Sequence, residues 1–367
     1  MILESLNIHQ FRNYESLSIQ FHPKLNIFLG NNAQGKTNLL EAIYVLALAK
    51  SHRTAKDREL MMFDTDESYI NGLVETTRHS FPLSISISKA GKRAKVNHLE
   101  VSKLSEFIGH LNVVLFAPED LNIVKGSPQI RRKFLNVECG QISKIYLNAL
   151  SQYQKLLIQK NHYLKQRNVE LVMLDVLNSQ LAEFASVIML KRQSFIQVIE
   201  KYAAQIHHDI SNQQEKLTVT YNSNIKITDS DEATLAKSIK DVFDAHTDKE
   251  IERMQTLVGP HRDDIAFFIN GKNVGTYGSQ GQQRTTALSI KLAEIELIYE
   301  EVGEYPILLL DDVLSELDQS RQTMLLTTIR NRVQTFVTTP SISEIKHDIL
   351  TDMKTFTIQA GTVKDER

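Results

Sequence analysis

Apolar and polar residues alternate over positions 2–8 and again over 17–21, the two-residue period of half-buried strands, so the chain opens with a predicted antiparallel pair. Positions 69–76 and 83–88 repeat the pattern, with Lys89-Ala90-Gly91-Lys92 as a hairpin tip. Between these pairs the pattern changes twice. Leu25-Asn26-Ile27-Phe28-Leu29 is a short, mostly apolar run, as expected of a buried strand. Positions 37–50 then carry Leu39, Leu40, Ile43, Leu46 and Ala47 at helical spacing.

From about 129 to 206 the period is helical throughout. Ile142, Ile145, Ala149, Tyr153 and Leu156 share one face, and Leu177, Leu181, Phe184, Ile188, Phe195, Ile199, Tyr202 and Ile206 make a second stripe close to a heptad. Gln166-Arg167-Asn168 breaks them, which predicts an antiparallel helical arm of about four nanometres. A strand over 216–221 and a polar helix over 231–245 follow. From 256 onward strand-like runs return at 265–269, 306–310, 335–338 and 355–358, with a helix through Leu288, Leu292, Ile295 and Ile298. The pattern divides the chain into a β-rich part (1–118), a mainly helical insert (119–255) and a second β-containing part (256–367). The first and third are expected to form one α/β lobe with a mixed sheet.

At 367 residues the chain is too long for one small core, and two lobes are expected. A single cysteine, Cys139, excludes an internal disulfide and favours a reducing compartment. No apolar stretch is expected to approach a membrane span, and the N-terminus lacks the basic region of a signal peptide. The net charge of −2 argues against a polyanion coat, so nucleic-acid contact must come from local basic patches. Lys92, Arg93 and Lys95 on a hairpin, and Arg131, Arg132 and Lys133 at a helix start, are solvated surface or phosphate contacts.

The chemistry concentrates in Gly30-Asn31-Asn32-Ala33-Gln34-Gly35-Lys36-Thr37, a complete P-loop between the buried strand and the apolar helix. Glycines let the backbone wrap an anion with N–H groups inward. Lys36 reaches the β- and γ-phosphates, the Thr37 hydroxyl can ligate Mg²⁺, and Asn38 opens the helix aimed at the phosphates. The continuous apolar run 306–310 ends at Asp311-Asp312. We assign Asp311 to Mg²⁺ and Asp312 to orienting and polarising the attacking water. Ser279 and Gln282 have capping-box spacing before the helix through Leu288. Ser279, the Gly281 amide and the helix dipole make a second candidate anion site. His261 with Asp263 and Asp264 fits no standard metal spacing and reads as a packing turn.

In their order, the P-loop, Ser279-Gln280-Gly281-Gln282-Gln283, Asp311-Asp312 and Ser315-Glu316-Leu317-Asp318 resemble the ABC-type ATPase heads of the SMC and Rad50 superfamily. More closely the chain resembles the RecF family of bacterial DNA replication and repair proteins, nearly end to end. The carriers include Phe11-Arg12-Asn13-Tyr14, Ser51-His52-Arg53-Thr54, Ala117-Pro118-Glu119-Asp120-Leu121 and Gly259-Pro260-His261-Arg262-Asp263-Asp264. The resemblance implies a cytoplasmic protein that binds ATP and dimerises head to head around it. It would bind single-stranded, duplex or gapped DNA without sequence preference, and act with RecO and RecR in loading recombinase during repair of DNA damage. Hydrolysis would be weak, DNA-stimulated and used as a switch. It further implies that Ser279, Gly281 and Gln282 touch the γ-phosphate held by the opposite copy, that Asp318 lies near the same interface, and that Arg12 sits near the base or phosphates. Two other classes remain open on the motifs alone. A transporter-type ATPase subunit is disfavoured by the interposed helical segment and by Thr338-Thr339, where transporters use a histidine. A small-molecule kinase would leave the Ser279 segment without a task.

Overall fold

The computed structural model describes residues 1–227, 231–314, 317, 318, 321, 322, 325, 332–341 and 352–366. Ser315 and Glu316 of the resemblance lie outside the described residues. In chain order the strands are β1 (Ile2–Phe11), β2 (Tyr14–Gln20), β3 (Leu25–Leu29), β4 (Glu67–Glu75), β5 (Ser80–Ser88), β6 (Gly91–Val96), β7 (Leu99–Glu100) and β8 (Val113–Phe116). They continue as β9 (Leu217–Asn222), β10 (Asp264–Ile269), β11 (Lys272–Asn273), β12 (Ile307–Asp311), β13 (Thr335–Thr339), β14 (Met353–Gln359) and β15 (Thr362–Glu366). The chain folds as two compact units, residues 1–120 with 291–367, and residues 121–290. Residues 256–290, which the sequence groups with the C-terminal ATPase part, lie in the second unit, because β10 pairs with β9 there.

The first unit holds two six-stranded sheets, β2-β1-β4-β5-β6-β7 and β15-β14-β3-β13-β12-β8. Alternation in β1, β2, β4 and β5 buries one face of the former, with Leu6, Ile8, Ile70 and Ile85 inside. In the latter, β3, β8, β12, β13 and β14 run parallel, and β12 and β13 are buried at every position. That double coverage is why 307–310 reads as an unbroken apolar run. The helix Lys36–Leu48 touches β1, β4 and β5 on one side and β8, β12 and β13 on the other. Enclosed between two sheets, it buries Leu39, Leu40, Ile43 and Leu46 as well as the residues between them, and so lacks a polar face. Phe21, Phe28, Phe336 and Phe356 pack ring against ring under β3. In the β6–β7 turn Asn97 and His98 both have positive φ, 49° and 67°, the geometry of a two-residue hairpin turn.

The second unit is helical around the three-stranded sheet β11-β10-β9. Helices Pro128–Ile142 and Lys144–Tyr163 precede one of 40 residues, Leu171–Ile210. At 1.5 Å per residue it spans about 60 Å, longer than the four nanometres read from the pattern, because the helix begins at Leu171, ahead of the stripe that starts at Leu177, and runs on past Ile206 to Ile210. A second correction concerns the same helix. One window of it, with mean hydropathy 1.4, is long and apolar enough to cross a membrane, contrary to expectation. Its apolar stripe packs against Lys144–Tyr163, Glu232–Ala245 and β9, and it carries the buried Arg192 and His207, as a core helix does. Cys139 is buried and forms no disulfide.

Candidate functional site

Sheet order brings the nucleotide motifs together. β3 and β12 both flank β13, and Leu29 pairs with Thr339 while Asp311 pairs with Thr338. The P-loop, Thr338 and Asp311-Asp312 therefore leave the sheet at the same carboxyl edge, where open α/β sheets bind ligands. Gly30 leaves β3 at φ 152°, and a Cβ there would come within 2.4 Å of the Ile358 carbonyl oxygen on β14. Gly35 (φ 118°) similarly would meet the Asn13 side chain at 2.8 Å.

The loop is held from outside. Tyr14 Oη donates to the Gly35 carbonyl at 3.0 Å, and Asn13 Nδ2 to the Gln34 carbonyl at 3.1 Å. Burial pushes the Tyr14 hydroxyl far up, so it stays a donor. Gln34 Oε1 accepts from the Ala360 amide at 2.8 Å, so this side chain ties the loop to the β14–β15 turn. Lys36, nearly buried, folds back onto the carbonyls of Gly30 (2.5 Å) and Asn31 (3.2 Å). No side chain caps the helix Lys36–Leu48, which leaves its first amides for an anion. A depression of about 360 Å³ results, lined by Asn31, Asn32, Ala33, Gly35, Lys36, Thr37, Asn38, Arg53 and Asp312.

Thr37 Oγ1 and Thr338 Oγ1 each donate to Asp311 Oδ1 at 2.9 Å, and Thr338 Oγ1 accepts from the Asp312 amide at 2.9 Å. Burial raises the Asp311 pKa, opposed by the two threonine hydrogen bonds, with the neighbouring Asp312 charge adding to the rise. The residues fit a magnesium ion. Ligand distances of about 2.0–2.1 Å put neighbouring oxygens of an octahedron roughly 3 Å apart, which is the separation of Thr37 Oγ1 and Asp311 Oδ1. Among the described residues no cluster of three or more His, Cys, Asp or Glu could hold a metal alone, so phosphate and water would complete the shell.

Arg12, expected near the nucleotide, forks onto Glu41 with hydrogen bonds of 2.8 and 2.7 Å. Glu41 is fully buried in the apolar helix and also accepts from Ser51 and, at 3.3 Å, from Arg53. Burial alone would raise its pKa; the Arg12 and Ser51 hydrogen bonds and the charges of Arg12 and Arg53 outweigh that and hold it low. Arg53 also donates to Asn38 Oδ1 at 2.8 Å, and Asn38 donates to Asn13. Arg53 and Asn38 line both the phosphate depression and an adjoining cavity of about 980 Å³ that Arg12, Lys56, Arg58 and Met62 also line. Sequence reasoning did not assign Arg53 or Glu41 to the site. The available signal was a lone carboxylate within the Leu39–Leu48 apolar run, which needs a buried cationic partner.

The signature lies in the second unit. Ser279 is exposed, and its capping box is complete: Gln282 N donates to Ser279 Oγ at 3.2 Å and Ser279 N to Gln282 Oε1 at 2.9 Å. Gly281 sits in the first turn of the helix Gln280–Val302. The 259–264 turn is a hydrogen-bonded structural network. Tyr153 Oη and His261 Nδ1 are 2.7 Å apart, and burial pushes His261 down to about 4. Buried Arg192 donates to the Pro260 carbonyl, Tyr146 and Asn136, and Tyr221 and Ser223 donate to Asp263.

Both basic patches are corrected in part, since Arg93, Lys95 and Lys133 are exposed. Lys92 is half-buried, ion-paired with Asp57 at 2.5 Å and bonded to the Ala49 carbonyl. Arg131 forks onto Asp264, and Arg132 donates to the Asp263 carbonyl. Alternating burial along β6 turns Lys92 inward and leaves Arg93 and Lys95 exposed.

A family model, the RecF/RecN/SMC N terminal domain, matches residues 2–359. The DNA replication and repair protein RecF of Macrococcus caseolyticus (strain JCSC5402) is 55% identical over 367 residues, covering 99% of both chains. A solved structure of the recombination mediator protein RecF with ATP in the RecFOR pathway superimposes with a TM-score of 0.91 at 34% identity. It covers 100% of this chain and 97% of its own. An SMC head bound to the C-winged helix domain of ScpA, 15% identical, shares the fold with a TM-score of 0.56 over 100% of this chain and 98% of its own.

Proposed function

The chain belongs to the RecF family of DNA replication and repair proteins, and from that premise we propose that it is an ATP-gated, DNA-binding dimer of recombinational repair. Magnesium would supply charge neutralisation of the phosphates when bound, held by Thr37 and Asp311. Lys36 exchanges its contacts with the Gly30 and Asn31 carbonyls for the β- and γ-phosphate oxygens, and the uncapped helix amides receive the rest. Asp312, on the wall of the depression, accepts a proton from the attacking water and aims it at the γ-phosphorus.

The convergence of the Thr37 and Thr338 hydroxyls on one Asp311 oxygen carries this reading. It sets a metal-binding pair beside a phosphate cradle at a single sheet edge. Ser279 is exposed at a helix start and, having accepted one hydrogen bond, keeps its own O–H to donate. In a head-to-head pair Ser279, the Gly281 amide and the Gln282 side of the turn face the γ-phosphate held by the opposite copy's Lys36. A ligand shared in this way favours the dimer by the contacts made only there, and hydrolysis removes them. DNA of single-stranded, duplex or gapped form would bind through backbone phosphates, with RecO and RecR as protein partners in recombinase loading and the cytoplasm as the site of action.

Titration of gapped, single-stranded and duplex DNA, with and without ATP, across salt concentrations tests this reading. ATP-dependent binding with a negative salt slope supports it. Binding of equal strength with and without ATP refutes it.

A further inference from the structure

The signature turn is tied to the far end of the 40-residue helix through one carboxylate. Gln282 uses both ends of its side-chain amide: Oε1 accepts from the Ser279 backbone N–H at 2.9 Å, and Nε2 donates to Glu215 Oε1 at 2.8 Å. The other carboxylate oxygen of Glu215 shares a hydrogen bond of 2.9 Å with Nε2 of His207, which is fully buried. His207 stands in the last turn of Leu171–Ile210, and its Nδ1 lies 3.4 Å from Ser289 Oγ, two turns along the signature helix. The backbone around Glu215 is fixed as well. Glu215 N donates to Ser211 Oγ at 3.2 Å, and Asn212 and Gln213 hold left-handed conformations, φ 52° and 66°, to turn the chain from the helix into β9.

From this geometry we infer that Glu215 is a positioning residue for nucleotide-dependent association. Through Gln282 it fixes the rotamer and backbone of Ser279, and through His207 it links that setting to the end of the long helix. A primary amide beside a solvent-exposed turn has several rotamers, and holding it costs side-chain entropy unless a partner selects one. A charge-assisted hydrogen bond donated to a carboxylate that is only 23% exposed, itself anchored on a buried ring, supplies that selection. Glu215 does not touch nucleotide in this scheme. It settles where the Ser279 hydroxyl points before a second copy arrives, so the seam forms without reordering. Movement of the helix end would act on the seam through the same carboxylate.

The inference rests on the proposed trans role of Ser279, and the test separates the two. Full-length wild type, Glu215→Ala, Glu215→Gln and Ser279→Arg are compared in three measurements. These are nucleotide binding by dilute monomer, the concentration of chain giving half dimer with a nonhydrolysable ATP analogue and Mg²⁺, and hydrogen exchange of the 277–282 amides without nucleotide. Glu215→Ala is expected to leave monomer nucleotide binding within about twofold. It should raise the half-dimer concentration about tenfold, as the loss of one charge-assisted hydrogen bond implies, and speed exchange at Ser279. Glu215→Gln, which keeps an acceptor for Gln282, is expected to restore most of the effect. If Glu215→Ala dimerises and exchanges like wild type while Ser279→Arg stays monomeric, the positioning role is refuted and the trans signature survives. If Ser279→Arg dimerises like wild type, the trans signature fails and the positioning role falls with it.

Discussion

Thr37 and Asp311 stand 274 positions apart in the chain, yet the threonine hydroxyl donates to the carboxylate at 2.9 Å. The contact follows from strand order. β13 lies between β12, which ends at Asp311, and β3, which runs into the loop before Thr37, and Thr338 near the end of β13 donates to the same oxygen. The sheet thus brings the two oxygens together before any ligand enters, and if they hold the proposed magnesium ion their ordering cost stays out of binding.

Asp311→Asn separates stability from function. Burial raises the Asp311 pKa, so its contribution to stability is present at low pH and is lost as pH rises through the raised folded value. The amide keeps an oxygen for Thr37 and Thr338 and carries no buried charge. At neutral pH and without nucleotide, the melting temperature should stay unchanged or rise. The additional melting shift that Mg²⁺ gives with ATP should disappear. Calorimetry with ATP, with and without Mg²⁺, reads both effects, and a retained Mg²⁺-dependent shift would remove Asp311 from the metal site.

Asp312→Asn is expected to bind ATP normally and to hydrolyse it about 10²-fold or more slowly, the usual scale for losing a positioned general base. Its ATP-bound dimer should persist correspondingly longer. Phosphate release at the wild-type rate would rule out Asp312 as the group that orients water.

Lys36→Ala should weaken nucleotide binding by roughly 10–100-fold, the equivalent of about 1.5–3 kcal/mol for a charge-assisted hydrogen bond. Equilibrium titration with a fluorescent nucleotide measures it. The apo fold should change little, since Lys36 bonds only the loop's own Gly30 and Asn31 carbonyls.

Glu41→Ala should destabilise the protein by about 3 kcal/mol, because it takes the buried partner from the largely covered Arg12, while Arg53, 44% exposed, adds little. The sign with pH is fixed by its lowered pKa: the stabilisation is complete above the unfolded carboxylate value and is lost as pH falls through the lower folded one. Denaturant melts between pH 7 and pH 3 should show the wild type approaching the variant on the acid side. A gap that stayed constant across this range would exclude the ion pair as its origin.

Lys92 and its neighbours on β6 should behave oppositely. Lys92→Ala, which removes the bond to the Ala49 carbonyl and the pair with half-exposed Asp57, should lower the melting temperature slightly and leave the salt slope of DNA binding unchanged. Arg93→Ala and Lys95→Ala should leave melting unchanged and each reduce the salt slope by about 1 if they neutralise phosphates.

The strands and the P-loop were legible because local pattern determines them. Alternation marks β1, β4 and β5, a mostly apolar run marks β3 and an unbroken one marks β12, so Asp311 could be read at the end of a buried strand. Partnerships across the fold were not legible. Lys92 looks like surface in a run of cations, and only the packing of β6 turns it toward Asp57 and Ala49. Glu41 is one acidic residue in an apolar helix, and nothing local names Arg12 and Arg53 as its partners. Glu215 lies in a polar turn 67 positions from Gln282, with no periodic signal connecting them.

The shared seam is tested most directly by sedimentation of wild type and Ser279→Arg with Mg²⁺ and a nonhydrolysable ATP analogue, with nucleotide occupancy counted in the same samples. Wild type should sediment as a dimer, and Ser279→Arg as a monomer that still carries one nucleotide per chain. Dimers of undiminished stability in Ser279→Arg would contradict a triphosphate clasped by Lys36 of one copy and Ser279 of the other.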